Sequence, residues 1–337
     1  MDLRRNAGRC AAPLGLALLA LASGPAQAQW NYYSNASNSF YVPFVAGGSP
    51  DFRYVSLTLP YGSSTKTTAF VMDTGSLGIL AGTNAYSPGA GDIPLGPGGI
   101  TYTSDGTSGA GNLFLTTVTI NGQNGQTATA RVPILQSLGA GGAQMGIGFA
   151  RTGLQAQSGI PLPNLNPFLG LLTINGQPVT NMNPGYIIST TGFQTNGQSF
   201  GPGVMLGLTQ QLTNNFSFVQ LTPTGLPLPA GCTTAGMNCP VNWNAATASV
   251  AVNGQNVGNL SMLPDSGIGF MILSVPNGGI TTVPGQCGVS GTTVRCLPSG
   301  TQVQLYLPGQ TQAAATYTFT VDGSGNPVQP TPGVQVI

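Results

Sequence analysis

The chain has 337 residues with eight basic and seven acidic side chains, a net charge of +1 and no histidine. Such a balance excludes charge-driven recognition of nucleic acid or an anionic membrane. All seven acids are aspartates, so neither a Ser-His-Asp or Cys-His site, nor a His-ligated zinc, nor an acid catalyst built on Glu can be assembled. A glycosidase resting on two aspartates stays formally open, but nothing else supports it. The single lysine, Lys66, follows no Gly-rich phosphate loop.

Residues 1–28 read as a secretory signal peptide. Arg4, Arg5 and Arg9 form its basic start, PLGLALLALA (13–22) its apolar run, and Ala26-Gln27-Ala28 its small-residue cleavage site. The chain is therefore expected outside the cytoplasm: extracellular, periplasmic or in the cell envelope. Arg4-Arg5 raises the twin-arginine route, although the surrounding residues fit it poorly. No stretch is long and apolar enough for a spanning helix.

Residues 29–52 are polar and aromatic and predict an arm or an edge strand. Residues 54–80 predict a strand, a turn at 61–64 and a second strand that runs into Asp73-Thr74-Gly75-Ser76. Residues 82–99, rich in Gly and Pro, predict a loop. A hairpin follows over 100–120 with its tip near Ser104-Asp105-Gly106. Then come a strand and a small-residue turn, MGIGF, within 133–150, and a loop with three prolines over 161–167. A short helix is expected over 167–173, and strands at YIIST and GVMLGL. Residues 222–242 form a Pro-rich insertion closed by cysteines. The opening order then returns: strand, Asn253-Gly254, strand, and NLSMLPDSGIGFMIL (259–273).

Fifty-one glycines and 27 prolines raise the possibility of disorder. Against it, apolar residues reach 41% and sit in short alternating runs such as YVSLTLP, ATASVAV and TQVQLYL. Asn-Gly or Asp-Gly follows several of these, at 121–122, 175–176, 253–254 and 322–323, a hairpin signal. The class is all-β. Cys10 leaves with the leader. The remaining cysteines form two close pairs, Cys232 with Cys239 and Cys287 with Cys296, read as short-loop disulfides with metal ligation as the competing reading.

An aspartate in a Gly-rich turn is ordinarily a turn former, and Asp105-Gly106 and Asp322-Gly323 are read that way. Trp30 and Trp243 read as structural. Asp73-Thr74-Gly75 and Asp265-Ser266-Gly267 differ, because the two share one pattern after an apolar strand at a spacing of 192 residues. Two carboxylates brought together share one proton. One then serves as base on a water while the other gives a proton to a carbonyl. Glycine permits the tight turn behind each carboxylate, and the small hydroxyl can bond across to the other half.

At these residues the chain resembles the pepsin-like aspartic peptidases, from about Tyr54 to about Phe270 and beyond. YVSLTLPYGSSTKTTAFVMDTGS looks like that family's first hairpin and catalytic loop. Tyr102 stands where the family carries its flap tyrosine, and Ile147-Gly148 resembles the hydrophobic-Gly element of the first lobe. GVMLGLTQQLTNNFSFVQLTP is similar to the stretch crossing between lobes. The resemblance implies a bilobal double-psi β-barrel architecture, with an N-terminal lobe over 29–212 and a C-terminal lobe over 213–337. It implies catalysis by Asp73 and Asp265, framed by Thr74, Gly75, Ser76, Ser266 and Gly267, with Tyr102 closing over substrate. It further implies acid-favoured hydrolysis of polypeptide by a monomer that needs no cofactor or metal. The chain departs from the pattern at three places. Ile268 replaces the expected hydroxyl, Pro264 precedes Asp265, and no second hydrophobic-Gly element follows, so the second lobe is expected to be incomplete. An inactive fold of this kind, binding peptide or glycan or serving a structural role, is the alternative.

Overall fold

A computed structural model describes residues 36–49, 52–102, 108–138, 142–149, 153–159, 162, 164–195, 197–214, 216–219, 221–223, 243–275, 279–288, 291–311, 313–322, 330 and 333–337. The expected signal peptide over 1–28, Trp30, the expected turn at Asp105-Gly106 and the Cys232/Cys239 pair lie outside the described residues.

The first part of the chain forms β1 (Phe40–Pro43), β2 (Tyr54–Tyr61), β3 (Ser64–Asp73), β4 (Leu77–Gly82), β5 (Ile93–Thr101), β6 (Ser108–Asn121), β7 (Thr127–Ser137) and β8 (Ala143–Ile147). It continues through β9 (Gln155–Ala156), β10 (Leu171–Ile174), β11 (Gln177–Pro178), β12 (Asn183–Ser189), β13 (Phe193–Thr195), β14 (Gln198–Phe200) and β15 (Gly203–Leu208), ending in a single helical turn α1 (Gln210–Thr213). The second part contributes β16 (Ala246–Val252), β17 (Gln255–Met262), β18 (Met271–Leu273), β19 (Val283–Gly285), β20 (Val294–Cys296), β21 (Gln302–Leu307), β22 (Ala315–Thr320) and β23 (Val334–Val336). The protein is all-β, as its alternating pattern predicts.

Alternation decides what faces inward. In β2, Val55, Leu57 and Leu59 are buried while their neighbours are half-buried or exposed. In β3, Phe70 and Met72 join them. Strands β7, β4, β8, β3, β2 and β6 lie side by side in that order, and pairing of β6 with β7 closes the ring into a six-stranded barrel. Its interior is one apolar cluster that includes Val55, Phe70, Met72, Ile79, Ile134 and Met145. Closure leaves no exposed edge within the ring. Strands β1, β15 and β12 form a separate three-stranded sheet, with β1 as the expected edge.

The second part forms two four-stranded sheets, β17-β16-β21-β22 and β18-β23-β20-β19, over its own core of Val250, Leu273, Val303, Phe319 and Val334. Its pairings repeat those of the first part. Strand β16 lies between β17 and β21 as β2 lies between β3 and β6. Strand β18 runs parallel to β23 with Met271 opposite Val334, as β4 runs parallel to β7 with Ile79 opposite Ile134. Ile79 and Met271 are related by the same spacing as the two Asp motifs.

Several expected elements differ. The expected helix over 167–173 is a turn followed by β10, because Asn166 accepts the Phe168 N–H at 3.0 Å and the following apolar run pairs with β7. Of MGIGF, Met145–Ile147 form the end of β8, and only Gly148 and Phe149 lie beyond the strand. The loop expected over 82–99 contains β5, which tolerates Pro94 and Pro97 by bulging where Gly96 takes φ +90°. Asn253-Gly254 and Asn175-Gly176 make hairpin turns with positive φ at both residues. Asn121-Gly122 does not. The Asn121 amide is held by Ser56 and Thr58, and the turn moves on to Gln123–Gly125, where Asn124 takes φ 57°. Asp322 is a turn former in the left-handed region, as read.

Candidate active site

Strand β3 ends on Asp73, which is 3% exposed. The chain then turns through Thr74-Gly75-Ser76 and returns as β4. Strand β8 lies between the two, parallel to β3 and antiparallel to β4, with Gly146 opposite both Asp73 and Gly78. Only glycine fits there. A Cβ on Gly146 would lie 2.7 Å from the backbone of Ser76 and Leu77, and one on Gly148 would lie 2.3 Å from the Thr74 carbonyl oxygen. The Gly148 N–H donates to the Ser76 carbonyl at 2.8 Å. Strand β8 is thereby pressed against the back of the aspartate turn.

The Asp73 carboxylate accepts three hydrogen bonds. The Gly75 N–H donates to Oδ1 at 2.6 Å, while the Ser76 hydroxyl and the Gln144 amide donate to Oδ2. Asp265 sits in the corresponding turn and is half-buried. The Gly267 N–H donates to its Oδ1 at 2.7 Å. Ile268, in the place of Ser76, has no hydroxyl to offer.

The two turns are bonded to each other in a reciprocal pattern. The Thr74 hydroxyl donates to the Pro264 carbonyl at 2.8 Å and accepts the Ser266 N–H at 2.9 Å. The Ser266 hydroxyl donates to the Met72 carbonyl at 2.8 Å and accepts the Thr74 N–H at 3.1 Å. Each glycine lies under the other turn's carboxylate. A Cβ on Gly75 would stand 2.1 Å from Asp265 Oδ2, and one on Gly267 would stand 2.5 Å from Asp73 Oδ1. The structure thus brings together Asp73, Thr74, Gly75, Ser76, Asp265, Ser266 and Gly267. Each carboxylate packs over the glycine of the other turn, an arrangement in which two carboxyl groups can divide base and acid work.

Tyr102 directly follows β5 and is half-buried against the cluster of Ile100, Leu113, Leu135 and Leu154. The expected disulfide between Cys287 and Cys296 is formed, with an S–S distance of 2.08 Å. Cys296 also pairs with Gln335 of β23, so the bridge ties β20 beside the second core.

Three supporting residues have no sequence motif. Gln144 reaches Asp73 from 71 positions away. Asn166 donates from its amide to the Ile147 carbonyl at 2.7 Å, and the Tyr186 hydroxyl donates to the same oxygen. Burial pushes the Tyr186 phenol up to about 12, so it remains a protonated donor at any ordinary pH. Together they pin the end of β8. A separate cluster has Asp92 accepting from the Tyr86 hydroxyl, the Gly89 N–H and the Thr116 hydroxyl. It secures the segment between β4 and β5. Burial, followed by the nearby Asp92 charge, raises the Tyr86 phenol far above its ordinary range.

Among the described residues no group of three or more His, Cys, Asp or Glu is arranged to hold a metal ion, and no helix is long and apolar enough to cross a membrane. No protein-family model matches the chain, and no curated protein does.

Proposed function

We propose that the chain is an exported aspartic endopeptidase of the pepsin-like type, with Asp73 and Asp265 as its catalytic pair. The observation that carries this reading is the reciprocal bonding of Thr74 and Ser266, which holds the two Asp-hydroxyl-Gly turns face to face. Two apposed carboxylates share one proton. The ionised member takes a proton from a water lying between them, and that water adds to the scissile carbonyl carbon. The protonated member gives its proton to the carbonyl oxygen. Collapse of the resulting gem-diol breaks the C–N bond, and a proton passes to the leaving amine. Neither metal nor cofactor enters. The insertion of β8 between β3 and β4 supports a psi-type first lobe over 29–212. The separate core around Val303 supports a C-terminal lobe over 213–337. In this reading Tyr102 closes over the substrate from the hairpin of β5 and β6, and residues 1–28 direct export of a monomer.

The test is cleavage of a denatured protein by residues 29–337 between about pH 2.5 and 7. Cleavage should peak in acid and vanish in Asp73→Asn and with a transition-state-mimicking aspartic peptidase inhibitor. A folded protein inert across that range overturns the reading. Ile268 favours a second reading, in which the same fold binds peptide or glycan, or serves a structural role, without turnover. Retained binding of the inhibitor without cleavage would select it.

A further inference from the structure

Five copies of the tripeptide Asn-Gly-Gln occur in the chain, at 121–123, 124–126, 175–177, 196–198 and 253–255, with one further Asn-Gly pair at 277–278. Asn196 and Asn277 lie outside the described residues. Three of the remaining four share one local structure. Asn124, Asn175 and Asn253 take φ of 57°, 49° and 49°, and the glycines that follow them take 75°, 77° and 77°. All three asparagines are exposed, and a Cβ on any of the three glycines would stand in open space. Following sequence, backbone, solvent access and crowding are therefore alike. The side chains differ. Asn175 Oδ1 accepts the Thr127 N–H at 3.0 Å, while the Asn175 N–H donates to the Thr127 carbonyl at 2.7 Å. Asn253 clasps Gln302 in the same way, at 2.9 Å and 2.8 Å. Each clasp ties a hairpin tip to the first residue of a neighbouring strand, β7 or β21. Asn124 makes no such clasp, and among the described residues its carboxamide has no hydrogen-bond partner. Asn121, the fourth, lies within β6 with its amide on Ser56 and Thr58.

We propose that Asn124 is a site of spontaneous covalent modification, converting to aspartate and isoaspartate, while Asn175 and Asn253 are protected by their clasps. The Gly125 main-chain nitrogen attacks Asn124 Cγ, and the new C–N bond closes a five-membered imide. The side-chain nitrogen leaves as ammonia, taking the amide proton of Gly125. Water then opens the ring at one of its two carbonyls and a proton is released. One opening restores the main chain and leaves aspartate. The other routes the main chain through the side chain and leaves isoaspartate. No enzyme, metal or oxidant enters. Glycine makes the attack accessible because no Cβ shields its nitrogen. The clasps oppose it directly. Attack needs the carboxamide carbon to swing onto the next nitrogen, so Oδ1 must first give up its cross-strand N–H. Breaking that bond together with the adjoining main-chain bond slows the step by about tenfold. The location matters for the fold. Isoaspartate inserts a methylene into the turn that joins β6 to β7, the pair that closes the barrel. That turn is held by the Gly122 N–H on the Gln126 carbonyl at 2.8 Å and the Gln126 N–H on the Gln123 carbonyl at 3.1 Å. Either product also adds a negative charge to a chain with seven acidic side chains. None of this depends on peptidase activity.

The experiment incubates the full chain in mildly alkaline buffer, folded and in urea, and follows each Asn-Gly pair by digestion at acid pH and mass spectrometry. In the folded protein Asn124 should convert about tenfold faster than Asn175 and Asn253, with isoaspartate among its products. In urea the three should convert within about threefold of one another, since each precedes Gly-Gln. Equal rates in the folded protein overturn the proposal, as does an Asn124 that stays intact when folded and converts only in urea. The same ranking persisting in urea also overturns it, because the residues before each pair, and not the clasps, would then set the order. Aspartate without isoaspartate at position 124 would mean direct hydrolysis of the amide and overturns the imide route.

Discussion

Replacing Thr74 by valine keeps the shape of the side chain and removes only its hydroxyl. That hydroxyl both donates to the Pro264 carbonyl and accepts the Ser266 N–H. Thr74 is half-buried, so the released groups are partly rehydrated, and each lost bond is worth about 1 kcal/mol. The expected cost of Thr74→Val is therefore about 2 kcal/mol. Ser266→Ala removes a matching pair of bonds, to the Met72 carbonyl and from the Thr74 N–H, and should cost about the same. The four bonds form one closed arrangement, so loss of either hydroxyl loosens the geometry on which the other depends. The double variant should accordingly be less destabilised than the sum of the singles, by about 1 kcal/mol. Urea unfolding of the wild type, both singles and the double completes the cycle, with a constant denaturant slope as the check that the unfolded state is unchanged. Additive costs, or single costs below about 0.5 kcal/mol, would refute the claim that these bonds couple the two turns.

Gly148→Ala should destabilise by about 3 kcal/mol, because its Cβ would meet the Thr74 carbonyl at 2.3 Å with backbone on both sides; thermal unfolding measures it. Tyr186→Phe should cost about 1 kcal/mol through loss of the bond to the Ile147 carbonyl. The folded phenol lies at about 12, above its ordinary value of 10.0. Its stabilising contribution is therefore complete below about pH 10 and declines as the pH rises toward about 12. Alkaline unfolding should steepen less in that window for Tyr186→Phe than for the wild type, the remaining slope coming from the other raised phenols such as Tyr86. Cys287→Ser with Cys296→Ser opens a loop whose ends are 9 positions apart. It should lower stability by about 2–3 kcal/mol, read as a lower unfolding midpoint under non-reducing conditions. If the proposed peptidase reading holds, Gln144→Leu should lower kcat about tenfold with KM unchanged, since Gln144 bonds to the Asp73 carboxylate; an equal effect on KM would show a general loosening instead.

The aspartates were legible because their signal is local. An apolar strand, an Asp, a hydroxyl and a glycine occupy adjacent positions, and the pattern occurs twice. The hydrophobic-Gly pair at Ile147-Gly148 was legible for the same reason, although not as part of a strand. Its glycines read as a turn until the strands on both sides are seen, and only then does the absence of a Cβ become a packing requirement. Strand β5 was hidden by its prolines, which are tolerated because the strand bulges and pairs at its edge with only the short β9. Gln144, Asn166 and Tyr186 were invisible in principle. Each acts on a partner 19 to 71 positions away, and a single glutamine, asparagine or tyrosine announces no partner. The parallel pairing of β18 with β23 spans more than 60 positions and likewise leaves no local trace.

The departures at Ile268 and Pro264 take on meaning once the two turns are set side by side. At Asp73, one donor comes from the turn itself, one from the hydroxyl two residues past Thr74, and one from a strand inserted behind it. At Asp265, the first of these is kept at Gly267 and the second is replaced by an isoleucine. The reciprocal hydroxyl bonds, by contrast, are the same on both sides. What joins the halves is therefore symmetric, and what tunes each carboxylate is not. Ile268→Ser restores a hydroxyl at the place of Ser76, so peptidase activity that rises in that variant would tie the asymmetry to the missing hydroxyl. Equal activity in the two proteins would mean that the joined turns alone suffice for chemistry, and that Ile268 is tolerated because Gly267 already orients the second carboxylate.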